Sequence, residues 1–220
     1  NITATADFAA MYEFHSGETG VTQPVVTGNI GDVITYQYTT AGTYPIKVVA
    51  KGGAIQTTEY TADFVVTEIL APIASAGTPP ARNDVDVISI FSGAYTDVAG
   101  TDFNPNWGQQ TIYTAFDLNG DAMIQYSNLN YQGIQIGATQ DASSMEFLHL
   151  DVWTADAVEI ETYLISISSG EKAVKTALTK DAWTSISIPM SEFTSQGLTV
   201  ADIHQFKFVG AGSVFIDNLY

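Results

Sequence analysis

The chain has 220 residues, enough for two small domains that each bury a core. Only 14% of it is charged, yet 24 acids face 7 bases, and the net charge of −17 argues against nucleic acid or an anionic membrane as a partner. With no cysteine, disulfides, thiolate metal sites and cysteine nucleophiles are excluded, and no apolar run is long enough to cross a bilayer.

Runs rich in Val, Ile, Thr, Tyr and Phe, bounded by Gly, Asn, Asp and Pro, dominate the order of elements. The first three read as strands at Val33–Tyr38, Thr43–Ala50 and Tyr60–Thr67. Residues 68–84, EILAPIASAGTPPARND, then break the periodicity and read as a proline-stiffened spacer, with a boundary near residue 75. Strands resume at Val87–Phe91, Thr111–Asp117, Met123–Ser127, Ile134–Gly137, Met145–Val152, Ala157–Ser168, Thr184–Pro189, Gln205–Gly210 and Ser213–Leu219. Single helical turns are expected at Met190–Phe193 and Val200–Ile203. The class is all-β, organised as a small domain over 1–69, a linker over 70–84 and a larger domain over 85–220.

Three stretches carry functional signal. Phe91–Gln109 crowds Tyr95, Phe103 and Trp107 among Asn, Gly and Gln without Lys, Arg, His or Glu. Aromatic rings stack on the apolar faces of pyranoses and neutral amides bond hydroxyls in both directions, so this composition suits a neutral glycan; packing at a core edge is the competing explanation. The segment NLNYQG adds Tyr131 and Gln132. In HLDVWTAD, alternation puts His149, Asp151 and Trp153 on one face and Leu148, Leu150 and Val152 on the other, making Trp153 either a second platform or an aromatic covered by a loop. In VFIDNLY, Asp217 stands in an apolar strand, where burial is costly unless it is paired or bound to metal. Asp117–Ala122, DLNGDA, reads as a hairpin turn.

Catalytic signatures are missing. Glu159 and Glu161 are the closest local carboxylate pair, but alternating acids on an exposed strand are ordinary solvated residues. His15, His149 and His204 are scattered, and neither H-E-x-x-H nor G-x-S-x-G occurs.

Residues Tyr12–Gly20, with Tyr12, Phe14 and the Ser16–Gly17 turn, and the pattern Tyr38–Thr43–Tyr44–Ile46–Val48, read as a hairpin, resemble a PKD domain. That resemblance implies an Ig-like β-sandwich serving as a spacer or adhesion module. Glu13, His15 and Glu18 depart from the family's usual W-D-F-G-D-G. From Val87 onward, IFSGAYTDV, FNPNWGQ, NLNYQG and VFIDNLY together resemble the β-sandwich carbohydrate-binding modules of laminarinases and surface glycan-binding proteins of the Bacteroidetes. This resemblance implies a jelly-roll sandwich, a structural calcium ion and a glycan site, with β-1,3-glucan such as laminarin a frequent ligand; Gly93 stands where the family usually has Asp.

On this basis Tyr95, Trp107, Tyr131 and Trp153 are the expected aromatic platforms, with Asn104, Asn106, Gln109 and Gln132 supplying hydrogen bonds. Ser92, Asp97 and Asp217 are the expected calcium ligands. The expected protein is a monomeric, non-catalytic polysaccharide binder, exported to the extracellular space or outer-membrane surface. It is read as a fragment that does not insert into membrane and whose longer parent carries a lipid anchor upstream or, alternatively, a glycoside hydrolase that the module serves.

Overall fold

The computed structural model describes residues 1–53 and 56–220, and the chain divides into two compact units, Asn1–Glu68 and Ile69–Tyr220. Both are built from antiparallel strands, and among the described residues no helix is long and apolar enough to cross a membrane.

The first unit holds β1 (Ile2–Thr3), β2 (Ala9–His15), β3 (Val26–Asn29), β4 (Val33–Ile34), β5 (Gly42–Gly52) and β6 (Thr58–Val66). Four of them form a sheet in the order β3-β2-β5-β6, and β1 pairs with β4 in a separate ribbon. Tyr12 and Phe14 alternate inward on β2, opposite Ala50 and Val48 of β5, and the Tyr12 hydroxyl donates to the carbonyls of Asp32 (2.8 Å) and Ile2 (3.1 Å), tying sheet to ribbon. The expected Tyr38–Val48 hairpin does not form: the ladder of the preceding segment ends at Ile34, and β5 pairs with β2 and β6. Side chains hold that segment in place of a ladder. The Tyr38 ring packs 4.4 Å from Tyr44 and its hydroxyl donates to the Ser16 carbonyl (2.8 Å), while Tyr36 donates to Glu18.

The second unit is a sandwich. One sheet takes β7 (Ile112–Leu118), β8 (Asp121–Ser127), β10 (Phe147–Thr154), β13 (Ala182–Pro189) and β15 (Val214–Asp217), in the order β13-β10-β15-β8-β7. The other takes β9 (Tyr131–Gln140), β11 (Glu159–Ser166), β12 (Gly170–Ala177) and β14 (Ile203–Gly210), in the order β12-β11-β14-β9. Alternate residues of both sheets meet in one core: Ile124, Leu150, Val152 and Ile216 from the first, Ile134, Ile160, Leu164 and Phe208 from the second. DLNGDA forms the β7–β8 hairpin, with Asn119 and Gly120 both at positive φ as a tight two-residue turn requires. Helix α1 (Met190–Thr194) turns Met190 and Phe193, three residues apart, onto the core.

Three expectations shift. Val87–Phe91 is not a regular strand but makes single bridges, Ser89 with Asp97 and Phe91 with Leu219. Val200–Ile203 gives no helix; β14 begins at Ile203. Strand β12 was not anticipated, because GEKAVKTA is rich in Lys, Ala and Glu, which suit an edge strand and score poorly as a central one.

The segment 70–84, expected to stand free as a spacer, packs on the second unit. Pro72 is buried, and the carbonyls of Ala74, Gly77 and Pro80 accept hydrogen bonds from the Trp183 indole (2.8 Å), the Asn218 amide (3.0 Å) and the Tyr95 hydroxyl (2.5 Å). The accepting carbonyls are three residues apart, so one edge of the segment is turned toward the second unit.

Candidate functional site

The outward face of the four-stranded sheet is a grid read directly from its register. One row runs Ala173, Tyr163, Lys207, Gly133; the rows on either side are Lys175, Glu161, Val209, Tyr131 and Glu171, Ile165, Gln205, Gln135. Period-two alternation puts these outside because Leu164, Phe206 and Ile134 between them point into the core. The face bounds a shallow groove of about 610 Å3, whose walls include Trp107, Tyr131, Glu171, Gln205 and Lys207.

Trp107 reaches this face from the loop before β7. Asp102 and Gln135 exchange backbone hydrogen bonds (2.8 and 2.9 Å), so the loop begins as an extra rung beside β9. From below, the buried Tyr126 hydroxyl donates to the Phe103 carbonyl (2.8 Å). The tip closes on itself: the Trp107 amide donates to Gln109 Oε1 (2.8 Å), Gln109 Nε2 donates to the Pro105 carbonyl (2.8 Å), and Tyr131 donates to the Trp107 carbonyl (2.8 Å). The indole rests on Gly133, where an added β-carbon would stand only 2.4 Å from the ring. Glycine is required there by close approach.

The charges on the rest of the face pair with one another, two lysines against three glutamates. The Lys207 ammonium lies 4.1 Å from the centre of the Tyr163 ring and pairs with Glu171 (2.6 Å). Tyr163 donates to Glu161 (2.8 Å), and Lys175 pairs with Glu159 (2.7 Å) and Glu161 (3.4 Å). The Tyr163 hydroxyl, with Lys175 behind it, holds the Glu161 carboxyl below its ordinary range. Gln205, which lines the groove, donates to Gln135 (2.6 Å), and the Gln135 amide in turn donates to the Ile136 and His204 carbonyls (3.2 Å each), so the second carboxamide braces the first.

Of the expected glycan residues, the structure brings Trp107, Tyr131, Asn104, Asn106 and Gln109 into one loop and strand end. Asn106 accepts from the Gly108 amide (3.3 Å) and Asn104 from Gln109 (3.3 Å), so both brace the loop. Three others are elsewhere. Gln132 is fully buried, pointing inward on β9 and donating to the Gly133 carbonyl (2.9 Å), so it faces no ligand at the surface. Tyr95 donates to Pro80 and packs edge-on to Tyr220 at 5.0 Å, away from Trp107 and its partners. Trp153, 3% exposed, packs on Phe215 with Ala71 and Trp183 against it, so it is a covered aromatic and not a platform. Residues not anticipated for the site are Tyr163, Lys207, Gln205, Gln135 and Glu171. Alternation in ETYLIS and HQFKFVG marks them as outward, but only the register lines them up beside Trp107.

Around Asp217 the side chains form a corner centred on Asn218. Ser89 and the Ser92 amide donate to Asp97 (2.6 and 3.0 Å), the Ser92 hydroxyl donates to Asn218 Oδ1 (3.2 Å), and Asn218 donates through its side chain to Asp151 (2.8 Å) and through its backbone amide to Asp217 (2.7 Å). Burial pushes the Asp217 carboxyl up to about 6, with repulsion from Asp121, Asp151 and Asp97 adding to it. Burial also raises Asp151, but hydrogen bonds from His149, Asn218 and Ser185 outweigh it and hold that group low. A buried carboxylate surrounded by others is short of positive charge, which fits a hard cation such as calcium. Among the described residues no three acidic or histidine side chains converge to hold an ion by themselves, so carbonyls and hydroxyls would have to complete a ligand set.

The fold is that of an all-β protein whose larger unit is a β-sandwich. No family model matches the chain, and no curated protein does. Among solved structures it is similar to a protein from work on the promiscuous specificity of carbohydrate-binding modules of the β-sandwich superfamily, with TM-score 0.36 and 14% identity over 96% of this chain and 84% of that one. It is also similar to the family 11 carbohydrate-binding module of a cellulosomal cellulase of Clostridium thermocellum, with TM-score 0.41 and 15% identity over 60% of this chain and 91% of that one. A family 29 carbohydrate-binding module gives TM-score 0.41 and 12% identity over 60% of this chain and 84% of that one. These likenesses are loose, and the functional reading rests on the residues of the face.

Proposed function

We propose that the second unit binds a neutral polysaccharide on the outward face of its four-stranded sheet, without catalysis, and that a β-1,3-glucan such as laminarin is its ligand. One observation carries this reading: the Trp107 ring is seated on Gly133 and fixed by the hydrogen bonds of its own loop, beside the Gln135–Gln205 carboxamides. Such a platform is organised before the sugar arrives, so little ordering entropy is lost on stacking. The charged residues of the face are paired with one another, two lysines with three glutamates, so the one surplus charge is negative and disfavours an anionic ligand. Hydrolysis of a glycoside needs one carboxyl kept protonated; on this face Glu161 is held in the opposite direction, and the raised Asp217 belongs to the other sheet, where it is buried.

The reading extends to context. A weak single site becomes useful by multivalency on a cell surface, in keeping with an exported, surface-attached protein and the first unit as its spacer. Calcium bound near Asp217 is part of the same proposal, as a structural ion that relieves the carboxylate cluster.

Affinity electrophoresis in gels containing laminarin tests the reading. The wild-type chain is retarded and Trp107→Ala is not; equal retardation of the two would overturn it, as would a preference for sulfated polymers over neutral ones.

A further inference from the structure

A larger cleft, about 1040 Å3, opens into the second unit and shares no residue with the Trp107 groove. One wall is the end of the packed segment, Pro80 to Val87; the other is β10 with Ser187 of β13 and the C-terminal Tyr220. Its floor reaches the core at Ile88, Met145 and Met190.

The mouth is aromatic and polar together. Phe147 is 54% exposed and lies on the same face of β10 as His149 two residues on. His149 stacks on Tyr220 at 4.7 Å and 27°, with Nδ1 2.9 Å from Ser187 Oγ and Nε2 3.6 Å from Asp151. Rings and hydroxyl are thereby held in fixed orientations. Opposite them stand Arg82, the chain's single arginine, and Asn83. None of the ion pairs among the described residues engages Arg82, although 24 acids are present to compete for it.

We infer that this cleft is a second saccharide site, taking the end of a neutral oligosaccharide. Sugar hydroxyls need donors and acceptors together, and the mouth supplies both: Arg82 donates, Glu146 accepts, and the Asn83 side-chain amide, bonded to Asp86 (2.8 Å), keeps a second N–H beside the second oxygen of that carboxylate. The exposed Phe147 ring and the His149–Tyr220 stack provide the apolar faces. The two carboxylates in the walls and the overall charge of −17 disfavour phosphate or sulfate. The volume is at the upper end of ordinary ligand pockets and has room for a short oligosaccharide. The inference stands apart from the Trp107 face, and two sites on one module would let a single chain be held twice.

Calorimetric titration of the full chain with laminarihexaose and with cellohexaose tests it, using Trp107→Ala, Phe147→Ala and the double variant. Phe147 is exposed, so its truncation leaves the core intact; Arg82→Gln, also at the surface, is the second probe. A wild-type stoichiometry of about two, falling to about one in each single variant and to none in the double, supports the second site, with Arg82→Gln weakening it about tenfold. Retention of binding by Trp107→Ala with loss in Phe147→Ala supports the cleft and overturns the face. Loss of all binding in Trp107→Ala with Phe147→Ala unchanged overturns the cleft alone. No heat from either sugar with the wild-type chain overturns both.

Discussion

The Trp107 indole occupies the space that a β-carbon on Gly133 would need, 2.4 Å from its ideal position, so the ring of one segment and the missing side chain of another form a single unit. Gly133 lies in the interior of β9, where glycine ordinarily weakens a strand, and the close approach explains its presence.

Gly133→Val should therefore displace Trp107 while leaving both sheets paired. The expected result is a loss of glucan affinity of about tenfold or more, with the ultraviolet circular dichroism of the sheets unchanged. Wild-type affinity in this variant would show that the position of the ring is immaterial to binding.

Lys207 sits over Tyr163 and pairs with Glu171, the lysine side chain 18% exposed and the glutamate's 46%, a half-open setting in which such contacts contribute about 1 kcal/mol. Lys207→Ala should thus change unfolding stability little but weaken glucan binding roughly threefold to tenfold, because it removes a donor from the groove. A large stability loss with unaltered binding would place Lys207 in the fold and outside the site.

Asn218 is held at φ 51; its side chain donates to Gly77 and Asp151 and accepts from Ser92, while its backbone amide donates to Asp217. Asn218→Ala should cost roughly 2–4 kcal/mol, since it strands buried partners and a left-handed backbone disfavours a β-carbon without a local hydrogen bond. Asn218→Gly relieves the backbone and should recover only part of the loss. Denaturant midpoints at constant slope measure both; full recovery by glycine would mean that the hydrogen bonds contribute nothing.

The Asp217 carboxyl, raised to about 6 in the fold against an ordinary 3.8, binds a proton more readily folded than unfolded. In the absence of calcium, stability should fall as pH rises from about 4 to about 6, then level off, since the unfolded chain loses this proton first. Asp217→Asn should remove that slope and, at neutral pH, raise stability on the order of 2 kcal/mol without calcium. Added calcium should raise the melting temperature of the wild-type chain and not of the variant, and a chelator should reverse it. A calcium response that survives in Asp217→Asn would place the ion elsewhere.

Much of the sandwich was legible in short windows. The alternation of HLDVWT put Leu148, Leu150 and Val152 inward, as found, and Asn119–Gly120 announced its hairpin, because strand period and turn chemistry are local properties. Trp153 shows the limit of that reasoning: alternation placed it outward from the main core, but what covers an outward face comes from distant chain, here Ala71 and Trp183. Strand β12 was invisible for a related reason, since its lysines and alanines become a strand only by pairing with β11.

What the sequence determined by itself is the all-β class, the acidic surface, and a loop whose aromatics and amides match the chemistry of a neutral sugar. The tertiary structure alone decided which of those aromatics belong together. Trp107 meets Tyr131 and Gly133, Tyr95 meets Tyr220 at another cleft, and Lys207 and Gln205 join Trp107 through the register of β14 on β9. Composition travels with the chain, whereas a binding face is assembled from strands far apart in sequence, and pairing register sets its members.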